Sequence, residues 1–252
     1  MQKSFDQLIT EANQASMIGW DFSFLTNRWV ESPLSWDLKS RIQTLFSGVS
    51  SMVDMGTGGG EFLRSLMPLP ENVTATEGYA PNVAVARRNL EPLGIEVVDI
   101  TAGPGLPFRD QQFGFIMNRH EEYEPAEVWR VLKPGGHFIT QQVGGQDLIG
   151  IHQLLQEEVY FKYDFWDKAY ATAELEVAGF QIKSALEEFP EVEIYDVGAI
   201  VFMLNNTPWK IEDFSVDRYY GRLQKIHEKI QQEGKLIMKS HRFVIEAVRP
   251  AS

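Results

Sequence analysis

The sequence predicts an α/β fold in which a parallel β-sheet carries helices on both faces. Short apolar runs, each ending in a polar or acidic residue, recur at a spacing of roughly 20 residues. These runs are MVD to Asp54, VTATE to Glu77, IEVVD to Asp99 and FGFIMN to Asn118. Helix-like stretches lie between them, as expected of βαβ units, whose ligands bind beyond the carboxyl ends of the strands.

The order of the predicted elements follows from their boundary residues. GEFLRSL follows the first strand as a short helix, and PNVAVARRNLEPLG follows the second, opening on Pro81 and closing on Gly94. Pro134 to Gly136 predict a sharp turn between a short helix and a strand. Further along, the pattern predicts a helix ending near Gly179, a strand over 181–187, helices over 197–204 and 216–233, and a closing strand at RFVIEAV.

The regions outside the βαβ units predict the domain organisation. Residues 1–47 hold an amphipathic helix candidate and three tryptophans, Trp20, Trp29 and Trp36. We interpret them as an N-terminal helical cap. Residues 48–252 then form the main domain, with residues 196–234 as a helical insertion before the last strand.

The composition excludes several kinds of chemistry and location. The sequence has no cysteine, which excludes disulfides, thiolate nucleophiles, thiolate zinc sites and cysteine-held iron–sulfur clusters. Neither a secretory leader nor a membrane-spanning run is indicated, so we expect a cytoplasmic protein. The carboxylates at 121, 122, 124 and 127 fit a solvated helix start better than a metal site, and no metal is expected.

The charge makes a nucleic-acid partner an unfavourable interpretation. The formal net charge is −12, whereas phosphate backbones are bound through Lys and Arg. From Asn205 onward, however, nine Lys and Arg residues stand against six Asp and Glu residues. This basic segment keeps an RNA partner as an alternative to a solvated helix face.

The glycine-rich segment VDMGTGGGEF, residues 53–62, indicates a ligand that approaches the backbone closely. The dinucleotide pattern G-x-G-x-x-G fails because Glu61 stands where its third glycine belongs. A P-loop also fails, because no Gly-Lys-Ser/Thr follows and a carboxylate at the helix start repels phosphates. The segment therefore suits a ligand without phosphates.

Four motifs together resemble those of class I S-adenosylmethionine-dependent methyltransferases, the type 11 group in particular. They are VDMGTGGGE, TEGYAPNVAVAR, VVDITAGPGLPFRDQQFGFIMNRH and RVLKPGG, in the order that the group shows. The resemblance covers residues 50–145. One departure is Gly114, where the group usually has Asp after Phe. The resemblance implies a Rossmann-like, seven-stranded, mostly parallel sheet and S-adenosylmethionine as cofactor.

The resemblance also implies roles for individual residues. The glycines would admit the methionyl end of the cofactor with Asp54 behind them, Glu77 would take both ribose hydroxyls, and Asp99 with Ile100 would meet the adenine. The predicted cofactor-binding residues are Asp54, Gly56, Thr57, Gly58, Gly60, Glu77, Gly78, Asp99, Ile100 and His120.

Two further groups of residues are candidates for the reaction itself. His120, with Glu121 beside it, is the candidate general base, although packing against the adenosine or capping of the next helix explains His120 equally well. Trp20 and Phe22 lie in the aromatic stretch SMIGWDFSF, for which we predict a lid over the cofactor with a hinge at Gly19.

These observations predict a methyltransferase that acts on a small-molecule N or O acceptor. An RNA methyltransferase and a non-catalytic cofactor-binding regulator are the alternatives. The oligomeric state is left open.

We expect the protein to bind S-adenosylmethionine and its demethylated product but not NAD or ATP. The reasons are Glu61 at the helix start and the missing P-loop lysine. Titration calorimetry with the four ligands measures this directly. Tighter binding of NAD than of S-adenosylmethionine would contradict the prediction.

Overall fold

The computed structural model describes residues 3–15, 17, 20–102, 105–156 and 163–251. The chain forms two compact units. The larger unit contains Ser35–Gly145, Tyr163–Glu188 and Arg242–Ser252, and the smaller unit contains Met1–Leu34, Gln146–Lys162 and Phe189–His241. The predicted division into residues 1–47 and 48–252 stays a prediction.

The elements are numbered here in chain order. The strands are β1 (Trp29–Glu31), β2 (Ser51–Met55), β3 (Asn72–Glu77), β4 (Glu96–Asp99), β5 (Phe113–Arg119), β6 (Leu132–Val143), β7 (Gln181–Glu188), β8 (Glu191–Ile194), β9 (Leu236–Lys239) and β10 (Arg242–Val248). The helices are α1 (Phe5–Gln14), α2 (Leu38–Leu45), α3 (Glu61–Ser65), α4 (Ala80–Leu90), α5 (Pro125–Val131), α6 (Ile149–Leu155), α7 (Lys168–Val177), α8 (Val197–Asn206) and α9 (Val216–Glu233).

The larger unit is built on a seven-stranded sheet with the order β4-β3-β2-β5-β6-β10-β7. Strands β4, β3, β2, β5 and β6 pair in parallel, whereas β10 is antiparallel to both β6 and β7. The chain runs outward from β2 to β4 and then returns to β5 on the other side of β2. Because crossovers of this kind are right-handed, they place helices on opposite faces. The predicted seven-stranded, mostly parallel α/β sheet is confirmed.

The central strands form because their sequences are apolar almost without interruption. Residues 52–55 of β2 and 115–118 of β5 are all buried, which is typical of parallel strands covered on both faces. Phe115 and Phe138 are fully buried. The predicted strand ends at Glu77 and Asp99 are observed at those residues, and the strands predicted to end at Asp54 and Asn118 run one residue further.

The end of α4 was predicted correctly, whereas the turn before β6 was not. The helix that contains Pro81 ends in a short 3₁₀ segment, and Gly94 follows with φ of +78°, as expected. The predicted turn at Pro134 to Gly136 is wrong in its position, because these residues lie within β6. They form an irregularity in the pairing with β5, since Phe113 pairs with Leu132 but Phe115 pairs with His137.

The smaller unit has its own sheet and its own apolar core. Strands β1, β8 and β9 pair in the order β1-β8-β9, antiparallel throughout. Helix α8 is buried over most of its length, and α9 turns Leu223, Ile226 and Ile230 toward the core. The helices over 197–204 and 216–233 were predicted, but this three-stranded sheet was not.

Within the described residues, no helix combines the length and apolar character that crossing a bilayer requires.

Candidate functional site

The glycine-rich loop between β2 and α3 lies at the carboxyl edge of the large sheet, as predicted. Gly56, Gly58 and Gly60 have φ angles of +69°, +62° and +85°, which L-residues rarely adopt. A Cβ on Gly56 would lie 2.5 Å from Cβ of Glu121, and one on Gly60 would lie 2.7 Å from Cγ of Leu90. Both positions therefore require glycine, Gly60 for helix packing and Gly56 for the approach of the 121 side chain.

Glu77, at the end of β3, holds this loop in place. One carboxylate oxygen accepts the N–H of Gly58 at 2.7 Å, and the other accepts the N–H of Tyr79 at 2.7 Å. The side chain is buried, and burial raises the pKa of its carboxyl above the usual range. Each carboxylate oxygen has a further lone pair, so these bonds leave acceptor capacity for hydroxyl groups.

Asp54 and Thr57 support the loop from within the protein. Asp54 is 4% exposed, and burial raises the pKa of its carboxyl to about 7, although the nearby Arg119 guanidinium opposes the shift. Arg119 itself lies over the ring of Phe62, 4.3 Å from the centroid. Thr57 is buried, and its N–H donates to the carbonyl of Thr76 at 2.9 Å.

Asp99, Ile100 and Gly78 line the neighbouring part of the edge. Asp99 lies opposite Glu77 in the β3–β4 register and is exposed. Its carboxylate accepts the N–H of Thr101 at 2.9 Å, which lowers its pKa. A Cβ on Gly78 would be 3.7 Å from both Cγ1 of Ile100 and Oε1 of Glu121.

His120 and Glu121 follow β5 and have different environments. His120 is exposed and has φ of +65°. Its backbone N–H donates to the carbonyl of Gln141 at 2.9 Å, and Nε2 of its ring lies 3.2 Å from Nε2 of the Gln141 side chain. Glu121 turns toward the glycine loop. Burial, followed by the charges of Glu77 and Glu122, raises the pKa of its carboxyl to about 7.

A polar network behind these two residues was not predicted. Oδ1 of Asn118 accepts from Oγ1 of Thr140 at 3.1 Å and from Nε2 of Gln142 at 2.7 Å, and Nε2 of Gln142 also donates to the carbonyl of Glu121 at 3.1 Å. Nε1 of Trp36 donates to Oε1 of Gln141 at 2.9 Å. The polar run TQQV within an otherwise apolar strand was the available signal.

Trp20 and Phe22, the predicted lid residues, belong to the smaller unit. Their rings stack with centroids 6.3 Å apart, Trp20 also meets Trp209 edge-on at 6.0 Å, and both side chains are 39% exposed. The proposed hinge at Gly19 lies outside the described residues. The lid stays a prediction.

Three or more potential metal ligands do not converge anywhere in the part of the chain that the structure describes.

Comparison with known proteins identifies the larger part of this site. Residues 53–140 match a protein family described as a methyltransferase domain. The chain contains a methyltransferase domain. The resemblance to class I S-adenosylmethionine-dependent methyltransferases is thereby confirmed for this segment, which includes the glycine loop, Glu77, Asp99 and Glu121.

Individual relatives of the methyltransferase domain agree with this assignment. Demethylmenaquinone methyltransferase of Bacillus cytotoxicus is 33% identical over 90 residues, which cover 32% of this chain and 37% of that protein. The match thus spans little more than a third of the curated relative.

Solved structures share the fold at low sequence identity. A candidate methyltransferase from Bacillus halodurans aligns with a TM-score of 0.61 at 18% identity, over 84% of this chain and 99% of that one. Phosphoethanolamine N-methyltransferase 2 of Haemonchus contortus was solved in complex with S-adenosyl-L-methionine. It aligns with a TM-score of 0.50 at 16% identity, over 87% of this chain and 54% of that one.

The site fits S-adenosylmethionine, the cofactor of this family, on its own geometry. Gly56 and Gly78 carry no Cβ, and the Glu121 side chain lies against both positions, so a ligand at this edge meets bare main chain and a carboxylate. A carboxylate at the end of the second parallel strand is the group that binds ribose hydroxyls in nucleotide-binding sheets. Which residues contact the cofactor stays a prediction.

The raised pKa of Asp54 should make stability depend on pH. Because the folded-state pKa of about 7 lies above the ordinary value of 3.8, the native protein binds more protons than the unfolded chain between these values. The free energy of unfolding should therefore fall as the pH rises from 4 to 7, by at most about 1.4 kcal/mol per pH unit from this group. Asp54→Asn should flatten that slope.

Urea unfolding at pH 5, 6 and 7 measures the effect. Glu96→Gln, which removes an exposed carboxylate from strand β4 of the same sheet, serves as the control and should keep the wild-type slope. Equal slopes in wild type and Asp54→Asn would contradict the prediction.

Proposed function

We propose that the protein is an S-adenosylmethionine-dependent methyltransferase that acts on a small-molecule N or O acceptor by in-line transfer. The observation that carries this proposal is the loop at residues 56–60, bare of side chains at its glycines and tied to Glu77 by the Gly58 hydrogen bond. The loop has no phosphate-binding lysine, and Glu61 starts the helix after it.

Each predicted cofactor residue has a distinct role in this proposal. Gly56, Thr57, Gly58 and Gly60 present main chain to the methionyl end, with Asp54 behind them. Glu77 accepts from the ribose hydroxyls, and Asp99, Ile100 and Gly78 border the adenine, where His120 also packs. The cofactor supplies a methyl group already activated on a sulfonium, so the protein's main contribution is to hold the acceptor in line.

Positioning of this kind can contribute about 7 to 11 kcal/mol in favourable intramolecular reactions. A base is needed only for an acceptor that must lose a proton. His120 is accessible at the carboxyl edge, and Glu121 has a pKa of about 7, close to the value that suits a base at neutral pH. We propose these two residues as the candidates for that role.

The charge distribution supports a small molecule over RNA. In the segment from Asn205 onward, ion pairs with carboxylates of the described residues are formed by Lys210, Arg218, Lys229 and Lys235. Pairing reduces the positive charge that this segment offers to phosphates. The curated relative acts on demethylmenaquinone by its name, but the match covers too little of that protein to assign the same acceptor here.

We also propose that the stretch containing Trp20 and Phe22 covers the transferring methyl group. A ligand at the edge of a parallel sheet is open to water unless another segment shields it. Both rings are exposed, and they belong to a segment that precedes the large sheet in the sequence, which supports this role.

A direct test is methyl transfer across a library of small-molecule amines, phenols and carboxylic acids, read as formation of S-adenosylhomocysteine. Total RNA as acceptor tests the alternative. Cofactor binding without turnover on either set would favour a non-catalytic regulator.

Glu77→Gln should weaken S-adenosylmethionine binding by more than Asp99→Asn does. The amide that replaces the buried Glu77 carboxylate can keep only one of the two backbone hydrogen bonds, and charge-assisted bonds to ribose are lost. Each such bond is worth about 1.5 to 3 kcal/mol, so a loss of at least tenfold in affinity is expected. Calorimetry measures it, and equal small losses in the two variants would place Glu77 outside the cofactor site.

The double variant Trp20→Ala and Phe22→Ala should lose most transfer activity while binding S-adenosylmethionine with an affinity within about tenfold of wild type. Point substitutions are preferable to deletion of residues 1–30, because α1 and β1 are part of the smaller unit's core and sheet. Tyr195→Ala removes an equally exposed ring from the same unit and should leave transfer unchanged. Normal transfer by the double variant would exclude the lid.

A further inference from the structure

The carboxylate of Glu121 is partly buried, and its surroundings are negative. Among the described residues, no Lys, Arg or His forms an ion pair with it. The charges that act on it are those of Glu77 and Glu122, and both are negative. Arg119, two residues earlier, acts on Asp54 and Glu61 instead. A carboxylate in such surroundings is unfavourable until a cation arrives.

The position of this carboxylate is set by bare backbone on two sides. Atoms of the Glu121 side chain come within 2.5 to 2.8 Å of the place where a Cβ of Gly56 would be, and its Oε1 is 3.7 Å from the corresponding place at Gly78. It therefore lies over the loop after β2 and the end of β3, inside the region that the proposed function assigns to the cofactor.

The main chain at this residue is held by the buried polar network. Nε2 of Gln142 donates to both the carbonyl of Glu121 and Oδ1 of Asn118. Asn118 is 2% exposed, and its Nδ2 has no hydrogen-bond acceptor among the residues that the structure describes. Within the same part of the chain, the partly buried Glu121 carboxylate, three residues further on, has no cation. Both observations favour a ligand at this end of β5.

Resting on the proposed function, we propose that Glu121 recognises the positive charge of the sulfonium and so determines that S-adenosylmethionine binds more tightly than S-adenosylhomocysteine. The two molecules differ by the methyl group and by this one charge. Transfer of the methyl group removes the charge, so the product leaves Glu121 without a partner again. Glu121 thus favours release of product as well as capture of cofactor.

The test is titration calorimetry of wild type, Glu121→Gln and Glu122→Gln with three ligands at pH 8. The ligands are S-adenosylmethionine, S-adenosylhomocysteine, and sinefungin, in which a carbon bearing a charged amino group replaces the methylated sulfur. Glu122→Gln removes the neighbouring exposed carboxylate and is the matched control.

For a partly buried charge contact, we expect Glu121→Gln to lose about tenfold or more in affinity for both cationic ligands. Its affinity for S-adenosylhomocysteine should change by less than about twofold, and Glu122→Gln should resemble wild type for all three ligands.

Proton release provides a second readout. A cation beside Glu121 favours its ionised form, so binding of S-adenosylmethionine at pH 7 should release protons, whereas binding of S-adenosylhomocysteine should not. Calorimetry in two buffers of different ionisation enthalpy detects this release. It should disappear in Glu121→Gln, and the affinity of wild type for S-adenosylmethionine should rise from pH 6 to pH 8. Asp54 and Glu77 are intact in both variants, so any release that they cause would remain.

The possible results separate this inference from the function on which it rests. Equal losses for all three ligands would place Glu121 beside the methionyl ammonium, which they share, and would overturn the inference. Unchanged affinities in Glu121→Gln would overturn it too, with the proposed function intact. If wild type binds none of the three ligands, both proposals fail.

Discussion

The two hydrogen bonds that Glu77 accepts are the constraint on which the site depends. One comes from the loop after β2 and the other from the chain after β3, so a single carboxylate joins the ends of two adjacent strands. Without it, three glycines with positive φ would leave the loop with many accessible backbone conformations. The same carboxylate is the group with acceptor capacity for a ribose. Loop geometry and ligand binding are therefore coupled through one side chain.

The acidic groups concentrated at this edge are costly in free energy to ionise, and a cationic ligand can offset that free energy. Burial raises the pKa values of Asp54, Glu77 and Glu121, and the charge of Glu77 raises those of Asp54 and Glu121 further. Such an arrangement repels phosphate-bearing ligands and attracts a sulfonium. Discrimination between nucleotide classes can thus arise from the field of the site as well as from the shape of its loop.

The sequence predicted the large sheet well and the smaller unit poorly, for a physical reason. Buried parallel strands such as β2 and β5 are continuous apolar runs with polar ends, and these are visible without a structure. Strands β1, β8 and β9 have only three or four residues each, too few for a periodic pattern.

The site shows the same division. The glycines and the acids at the strand ends could be located by their spacing. The hydrogen bond from Trp36 to Gln141 could not, because it joins residues 105 positions apart in the sequence. The partners of Gln142 could not either, because the polar run TQQV does not indicate which side chain of β5 it meets.

The place of β10 in the sheet has a consequence for biosynthesis. This strand lies between β6 and β7 and is antiparallel to both, yet it is formed by residues 242–248. All residues up to 241 leave the ribosome first, and during that time β6 and β7 each expose an unpaired edge. Exposed edges of apolar strands are templates for association between chains. Closure of the large sheet is therefore a late, non-local event in the synthesis of the chain.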